Sequence, residues 1–142
     1  MRKWEKPNEG WIKVNVDAAV FQDSIGCGAV IRDAQGVFMG AFCKKVEGAW
    51  RPREAEAIAL KEALSWIAEL GYGSCVFETD SKELMQACKK APGESHFGTI
   101  VGDCLHLLKH INQVLVQFAF RSANSVAHEL ARATHSMSDK GE

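Results

Sequence analysis

The sequence predicts an α/β domain in which a mixed sheet is covered by helices, and three observations carry that expectation. Residues 11–17 alternate apolar and polar side chains with period two, as a half-buried strand does. Two further strand-like runs follow through short connections. From Pro52 onward the apolar spacing becomes helical, with only two more strand-like runs set between helices. The order is therefore β-β-β-α-β-α-α-β-α, and such an order implies a mixed sheet with helices on its faces.

Residues 1–10 are polar, contain Pro7 and Gly10, and read as a lead-in; the domain proper is expected over 11–137 and a flexible polar tail over 138–142. The first strand sets Ile12, Val14 and Val16 against Lys13, Asn15 and Asp17, so Asp17 falls on its polar face. Residues 28–32 and 37–43 form a hairpin turned at Gly36. The sequence Gly26-Cys27-Gly28 leads into a strand, not a helix, and so is not a phosphate-binding fingerprint. A helix fills 52–70, with Pro52 in its first turn and Gly71 as its stop. Residues 75–78 are a short buried strand, 81–90 a helix ended by Ala91-Pro92-Gly93, and 96–111 an amphipathic helix carrying Phe97, Ile100, Val101, Cys104, Leu108 and Ile111 inward. A last strand covers 114–120. Asn124 then caps a final helix whose inner stripe is Ala127, Leu130, Ala131, Thr134 and Met137.

Composition narrows the class. With 142 residues, 46% hydrophobic and 25% charged, the chain is expected to be one globular domain and a monomer. It has no apolar run long enough for a membrane span and no secretory signal, so an intracellular, reducing compartment is expected, nucleus and cytoplasm being indistinguishable. Five scattered cysteines without a Cys-x-x-Cys pair fit free thiols in a packed interior. A net charge of −1 excludes a global basic field, leaving only local clusters (Lys44-Lys45, Arg51 with Arg53, Lys89-Lys90) to meet phosphate or to serve as solvated surface.

Three acids in separate contexts suggest a metal site. Asp17 follows the first strand-like run, Glu56 opens the long helix, and Asp80 follows the fourth strand. At roughly 100° per residue, Glu56 lines up with Leu60, Ala63 and Ile67, whereas Glu54 lines up with Lys61, Ser65 and Glu69 and has a surface explanation. A carboxylate on the inward stripe needs a cation, hydrogen bonds or a cleft, since burying it alone costs several kcal/mol. If the first and fourth strands lie side by side, the three carboxylates face one cleft. An all-oxygen set suits Mg²⁺ or Mn²⁺ better than zinc, and two such ions would clamp a phosphodiester for attack by water. Alternatives stand beside this reading: Asp17 as a polar strand end, and Asp80 as a helix cap completed by Glu83. His106 and His110 lie one turn apart near Cys104, but without a second ligand pair they read as helix surface.

The same element order and acids resemble the ribonuclease H family over nearly the whole chain. Val14-Asn15-Val16-Asp17 resembles its first strand, Ala55-Glu56-Ala57-Ile58-Ala59-Leu60 its glutamate-bearing helix, and Glu78-Thr79-Asp80-Ser81 its Thr-Asp-Ser segment. Trp4, Pro7, residues 28–33 with Gly36, Arg121, Asn124 and Ala127-His128 are shared with the ribonuclease-H-like domains of plant retroelement reverse transcriptases and their solitary relatives. The resemblance implies a five-stranded sheet of three antiparallel and two parallel strands, and hydrolysis of the RNA strand of an RNA–DNA hybrid with two Mg²⁺ or Mn²⁺ ions. It implies Asp17 bridging both ions, with Glu56 and Asp80 completing one shell and Glu56 near the ribose 2′-hydroxyl. Many members carry a fourth acid where this chain has His128, a residue the plant group often shows there. His128 would bind metal selectively or move a proton; otherwise it shares an outer stripe with Arg132 and His135. A non-cleaving nucleic-acid-binding module is the alternative function, and a purely structural domain of a larger polyprotein a third.

Overall fold

The computed structural model describes residues 3–136. Met137 and the tail 138–142 lie outside that range, as do residues 1 and 2. Strands β1 (Ile12–Val20), β2 (Ser24–Arg32) and β3 (Phe38–Glu47) form a meander. Helix α1 (Pro52–Leu70) leads to β4 (Ser74–Thr79), then come α2 (Lys82–Ala87), α3 (His96–Leu108) and β5 (Gln113–Phe118). A 3₁₀ turn (Arg121–Asn124) opens into α4 (Ser125–Ala133), which ends in a second 3₁₀ turn (Thr134–Ser136).

The sheet order is β3-β2-β1-β4-β5. β1 pairs antiparallel with β2 and β2 with β3; β4 runs parallel to both β1 and β5. The mixed sheet expected from the element order is thus present, with the three antiparallel and two parallel strands that the resemblance implies. The hairpin turns where Asp33 Oδ1 accepts from the Gln35 and Val37 N–H groups and Gly36 takes a φ of 82°, a left-handed conformation glycine adopts without strain. α1 begins at Pro52 and stops at Gly71, whose φ is 81°, both as the sequence signals.

Several elements differ from their sequence limits. β2 starts four residues before the expected run and β3 ends four residues after it, because β2 is buried almost to its end while β3 is an edge strand with mixed exposure. The helices after β4 are shorter than their apolar periodicity, each ending with backbone bonds that tighten the last turn. Leu130 is only half-buried, while Ala127, Ala131 and Thr134 face the sheet. The N-terminal segment is docked on the sheet: Trp4 Nε1 donates to Asn15 Oδ1 at 2.8 Å and Lys13 Nζ to the Glu5 carbonyl at 2.6 Å.

The core lies between the sheet and α1 with α3, built from Val14, Val16, Ile25, Ile31, Leu60, Leu64, Ile67 and Phe77. Cys27, Cys75 and Cys104 are buried thiols, but Cys43 is exposed on the edge strand, so the interior reading holds for only part of the set. No helix among the described residues is long and apolar enough to cross a membrane.

On the opposite face α4 lies flush against β1 and β2. Gly28 pairs with Asp17 and Gly26 with Ala19, so both glycines share the face from which Asp17 projects. A Cβ on Gly28 would stand 2.3 Å from the Ala127 carbonyl oxygen, and one on Gly26 only 2.1 Å from that of Ala131. Two absent side chains therefore set the height of α4 above the sheet.

Candidate active site

Asp17 is neither at a strand end nor on a solvated face. β1 continues to Val20, and the polar face predicted for it is itself covered, leaving Lys13, Asn15 and Asp17 all buried. In the parallel register Asn15 pairs with Glu78, which places Asp17 and Asp80 beside one another two residues further on. Glu56 reaches the same place from the start of the second turn of α1. One carboxylate oxygen from each of Asp17, Glu56 and Asp80 lies within 4.8 Å of the others.

The neighbours of these acids refine the reading of each. Glu54, assigned to the surface by helical phase, is buried: its Oε1 accepts from the Arg51 N–H at 3.0 Å and closes the start of α1. Glu56 is half-buried and carries the carboxylate that joins the cluster. Asp80 is not a cap, because Ser81 caps α2 by accepting from the Leu84 N–H, while Glu83 pairs with Arg53 at 3.0 Å instead of completing a box. The basic clusters are partly answered locally as well, Lys44 pairing with Glu62 at 2.9 Å.

Electrostatics express the crowding. Burial, then the charges of Asp17 and Asp80, pushes the Glu56 carboxyl up to about 9. Asp80 is also shifted upward, by burial and then by Asp17, with Arg121 and His128 opposing the shift. Arg121 Nε stands 3.4 Å from Asp80 Oδ2. His128, in the first turns of α4, turns its Nδ1 to Asp17 Oδ2 at 2.6 Å, so its ring lies beside the acids and not on an outer stripe. Asp17 Oδ1 and Asp80 Oδ2 remain buried without a hydrogen-bond partner. Asp80 Oδ2 still has the Arg121 guanidinium nearby, whereas Asp17 Oδ1, a buried carboxylate oxygen beside two further acids, is suited to a hard divalent cation.

Asn124 and Asn15 were not legible as site residues. Asn124 caps nothing with its side chain. Its Nδ2 donates to the Val16 carbonyl at 2.8 Å and its Oδ1 accepts from Asn15 Nδ2 at 2.9 Å. Asn15 Nδ2 also donates to Glu78 Oε1 at 2.9 Å, and Glu78 Oε2 holds Lys13 Nζ at 3.1 Å in a buried ion pair. His106 and His110 lie ring to ring, 5.1 Å between centroids, outside the one acidic group found among the described residues.

Sheet order, helix placement and acid cluster together define a ribonuclease-H-like domain. RNase H1 from the archaeon Halobacterium salinarum NRC-1 superposes with a TM-score of 0.82 at 18% identity, covering 90% of this chain and 99% of that one. LC11-RNase H1, in a structure with an RNA/DNA hybrid, gives 0.76 at 18% identity, covering 86% and 94%. The chain belongs to the reverse transcriptase-like family, whose profile matches residues 15–134. An Arabidopsis thaliana protein provisionally named a ribonuclease H protein is 28% identical over 138 residues, 95% of this chain but 22% of its own length. The chain thus spans about a fifth of that curated relative.

Proposed function

We propose that this domain hydrolyses the RNA strand of RNA–DNA hybrids endonucleolytically, leaving 5′-phosphate and 3′-hydroxyl ends. The observation that carries the reading is the convergence of Asp17, Glu56 and Asp80 within 4.8 Å, with Asp17 Oδ1 buried and without a hydrogen-bond partner. These three, with His128, would hold two Mg²⁺ or Mn²⁺ ions, and such ions supply charge stabilisation of the phosphodiester and an activated water.

The chain's own groups do the rest. Glu56, held protonated by its surroundings at neutral pH, must give up its proton for the site to load. His128 fixes Asp17 through Nδ1; a neutral ring in this arrangement keeps its proton there and leaves Nε2 as the basic nitrogen. Arg121, two-thirds exposed at the mouth and paired to Asp80, is placed to meet a phosphate. The LC11 protein's structure with a hybrid supports the choice of substrate class.

Incubating folded protein with a labelled hybrid in Mg²⁺ and then in Mn²⁺ is the test; cleavage is expected, and none in either would end the enzymatic reading. One observation favours a second reading, a non-cleaving nucleic-acid-binding module: His128 already occupies an Asp17 oxygen that an ion would use. Hybrid binding that survives Asp17→Asn, with no turnover by the parent, would select it.

A further inference from the structure

We propose that Trp4 is a positioning residue for the His128–Asp17 contact, acting through a one-way chain of side-chain amides. Trp4 lies outside the segment matched to the family, 15–134, and eleven residues before Asn15, yet its indole is the first donor of a buried relay. Trp4 Nε1 donates to Asn15 Oδ1 at 2.8 Å. Asn15 Nδ2 spends its two hydrogens on Glu78 Oε1 and Asn124 Oδ1, both at 2.9 Å. Asn124 Nδ2 then donates to the Val16 carbonyl at 2.8 Å. The relay therefore ends on the peptide that precedes Asp17, and its last side chain belongs to the residue that precedes α4.

The direction of this chain is determined by chemistry at its ends. An indole N–H can only donate, and a carboxylate or peptide carbonyl can only accept. Turning either asparagine amide over would set donor against donor at Trp4 or acceptor against acceptor at Glu78 and Val16. Asn15 and Asn124 are both essentially inaccessible, so no bulk solvent can repair a wrong orientation. His128 lies one helical turn beyond Asn124, and its Nδ1 sits 2.6 Å from Asp17 Oδ2. The asparagines thus pin both halves of that contact: the strand carrying Asp17 and the helix start carrying His128.

A second observation places Trp4 in the same role. Its ring walls a cavity of about 90 Å³ under the start of α4, also lined by Asn15, Asn124, Ser125 and Val126. The segment is held there by Lys13 Nζ on the Glu5 carbonyl, with Lys13 and Arg32 near the Trp4 ring at 5.3 and 5.8 Å from its centroid. Losing the indole N–H leaves Asn15 Oδ1 buried without its donor. Losing the ring opens the cavity beneath the helix that carries His128.

Trp4→Phe separates the two effects, keeping a ring while deleting the donor, and Trp4→Ala removes both. The readout is the hydrogen-bonded imidazole N–H of His128 and the side-chain amide signals of Asn15 and Asn124 in proton–nitrogen NMR of metal-free protein. Loss of the His128 signal and shifts of both amides are expected in Trp4→Phe, with backbone signals of β2 and β3 retained. If the parent cleaves hybrid, kcat should fall about tenfold with KM unchanged, the usual scale for removing support behind a site. An unmoved His128 signal in both variants would overturn the proposal. Because the NMR measurement needs neither metal nor turnover, a parent that fails to cleave would sink the proposed activity and leave this inference standing on its own result.

Discussion

Gly28→Ala tests whether the close approach of α4 to the sheet assembles the site. The new Cβ would lie 2.3 Å from the Ala127 carbonyl oxygen, 2.6 Å from the Ala131 nitrogen and 2.9 Å from Leu130 Cβ. The two nearest atoms are backbone, so no side-chain rotation relieves them, and α4 must lift by about 1 Å to restore ordinary contact. Overpacking of this kind costs about 1–3 kcal/mol, and opposition by backbone argues for the upper half of that range. For a chain of this size that is a fall of roughly 5–10 °C in Tm. The same lift draws His128 Nδ1 away from Asp17 Oδ2, now 2.6 Å apart, and a displacement of about 1 Å at a catalytic group can cost on the order of a hundredfold in rate. Thermal melting, the His128 imidazole N–H signal and hybrid cleavage are the assays. Gly40→Ala is the control, since its Cβ would meet the Trp66 ring at 3.7 Å and Ile31 Cδ1 at 3.9 Å, both ordinary contacts, and it should leave all three near parental. A Gly28→Ala protein that melts within about 2 °C of the parent and keeps the imidazole signal would refute the argument that β2 backbone sets the helix height.

Three further outcomes follow from the acids. Glu56→Gln should raise the Tm of chelated protein at pH 7, because the carboxyl pushed up to about 9 must take up a proton on folding there and the amide need not, while it abolishes the Tm increase produced by Mn²⁺; retained metal stabilisation would remove Glu56 from the site. Since Glu56 and Asp80 both hold protons more tightly folded than unfolded, their contribution in chelator is complete below about pH 4 and drains as pH rises, through about 9 for Glu56. Chelated protein should therefore melt lower at pH 9 than at pH 6, and Mg²⁺ should narrow that gap; a chelated Tm that rises over the interval contradicts the assignment. His128→Asp adds a fourth carboxylate beside Asp17, so it should lower the metal-free Tm and raise Mg²⁺-supported cleavage, and unchanged kinetics would take His128 out of the mechanism.

Local periodicity was enough to read the strands, α1 and the three acids, because these depend on neighbours two to four residues away. It could not say what covers a face. The polar side of β1 looks solvent-exposed by alternation, yet α4, more than a hundred residues later, closes over it and makes Asp17 a buried acid. Gly26 and Gly28 were the available signal for that closure, since a glycine inside a strand marks a close backbone approach as well as a bend. Helical phase likewise gave direction without depth: Glu54 sits in the first turn of α1 and Glu56 just beyond it, and the enclosure of Glu54 depends on a capping bond that phase does not encode. Asn15 and Asn124 were invisible for a third reason. Their hydrogen bond joins positions 109 residues apart, and each has a local role, strand polar face or helix cap, that accounts for it in isolation.

His128 shows how those omissions bear on chemistry. A carboxylate in its place would add a like charge to a cleft that already lifts Glu56 to about 9, and the metal-free fold would bear the repulsion. An imidazole donating through Nδ1 instead satisfies one Asp17 oxygen and leaves the other, Oδ1, unpartnered. The metal-free site is thereby less strained, but a cation competing for Asp17 must displace or share a hydrogen bond, and any such bond to a buried charge is among the stronger ones in a protein. Weaker loading is then the expected consequence of a more stable empty cleft, with Mn²⁺, which accepts imidazole more readily than Mg²⁺ does, the ion least affected.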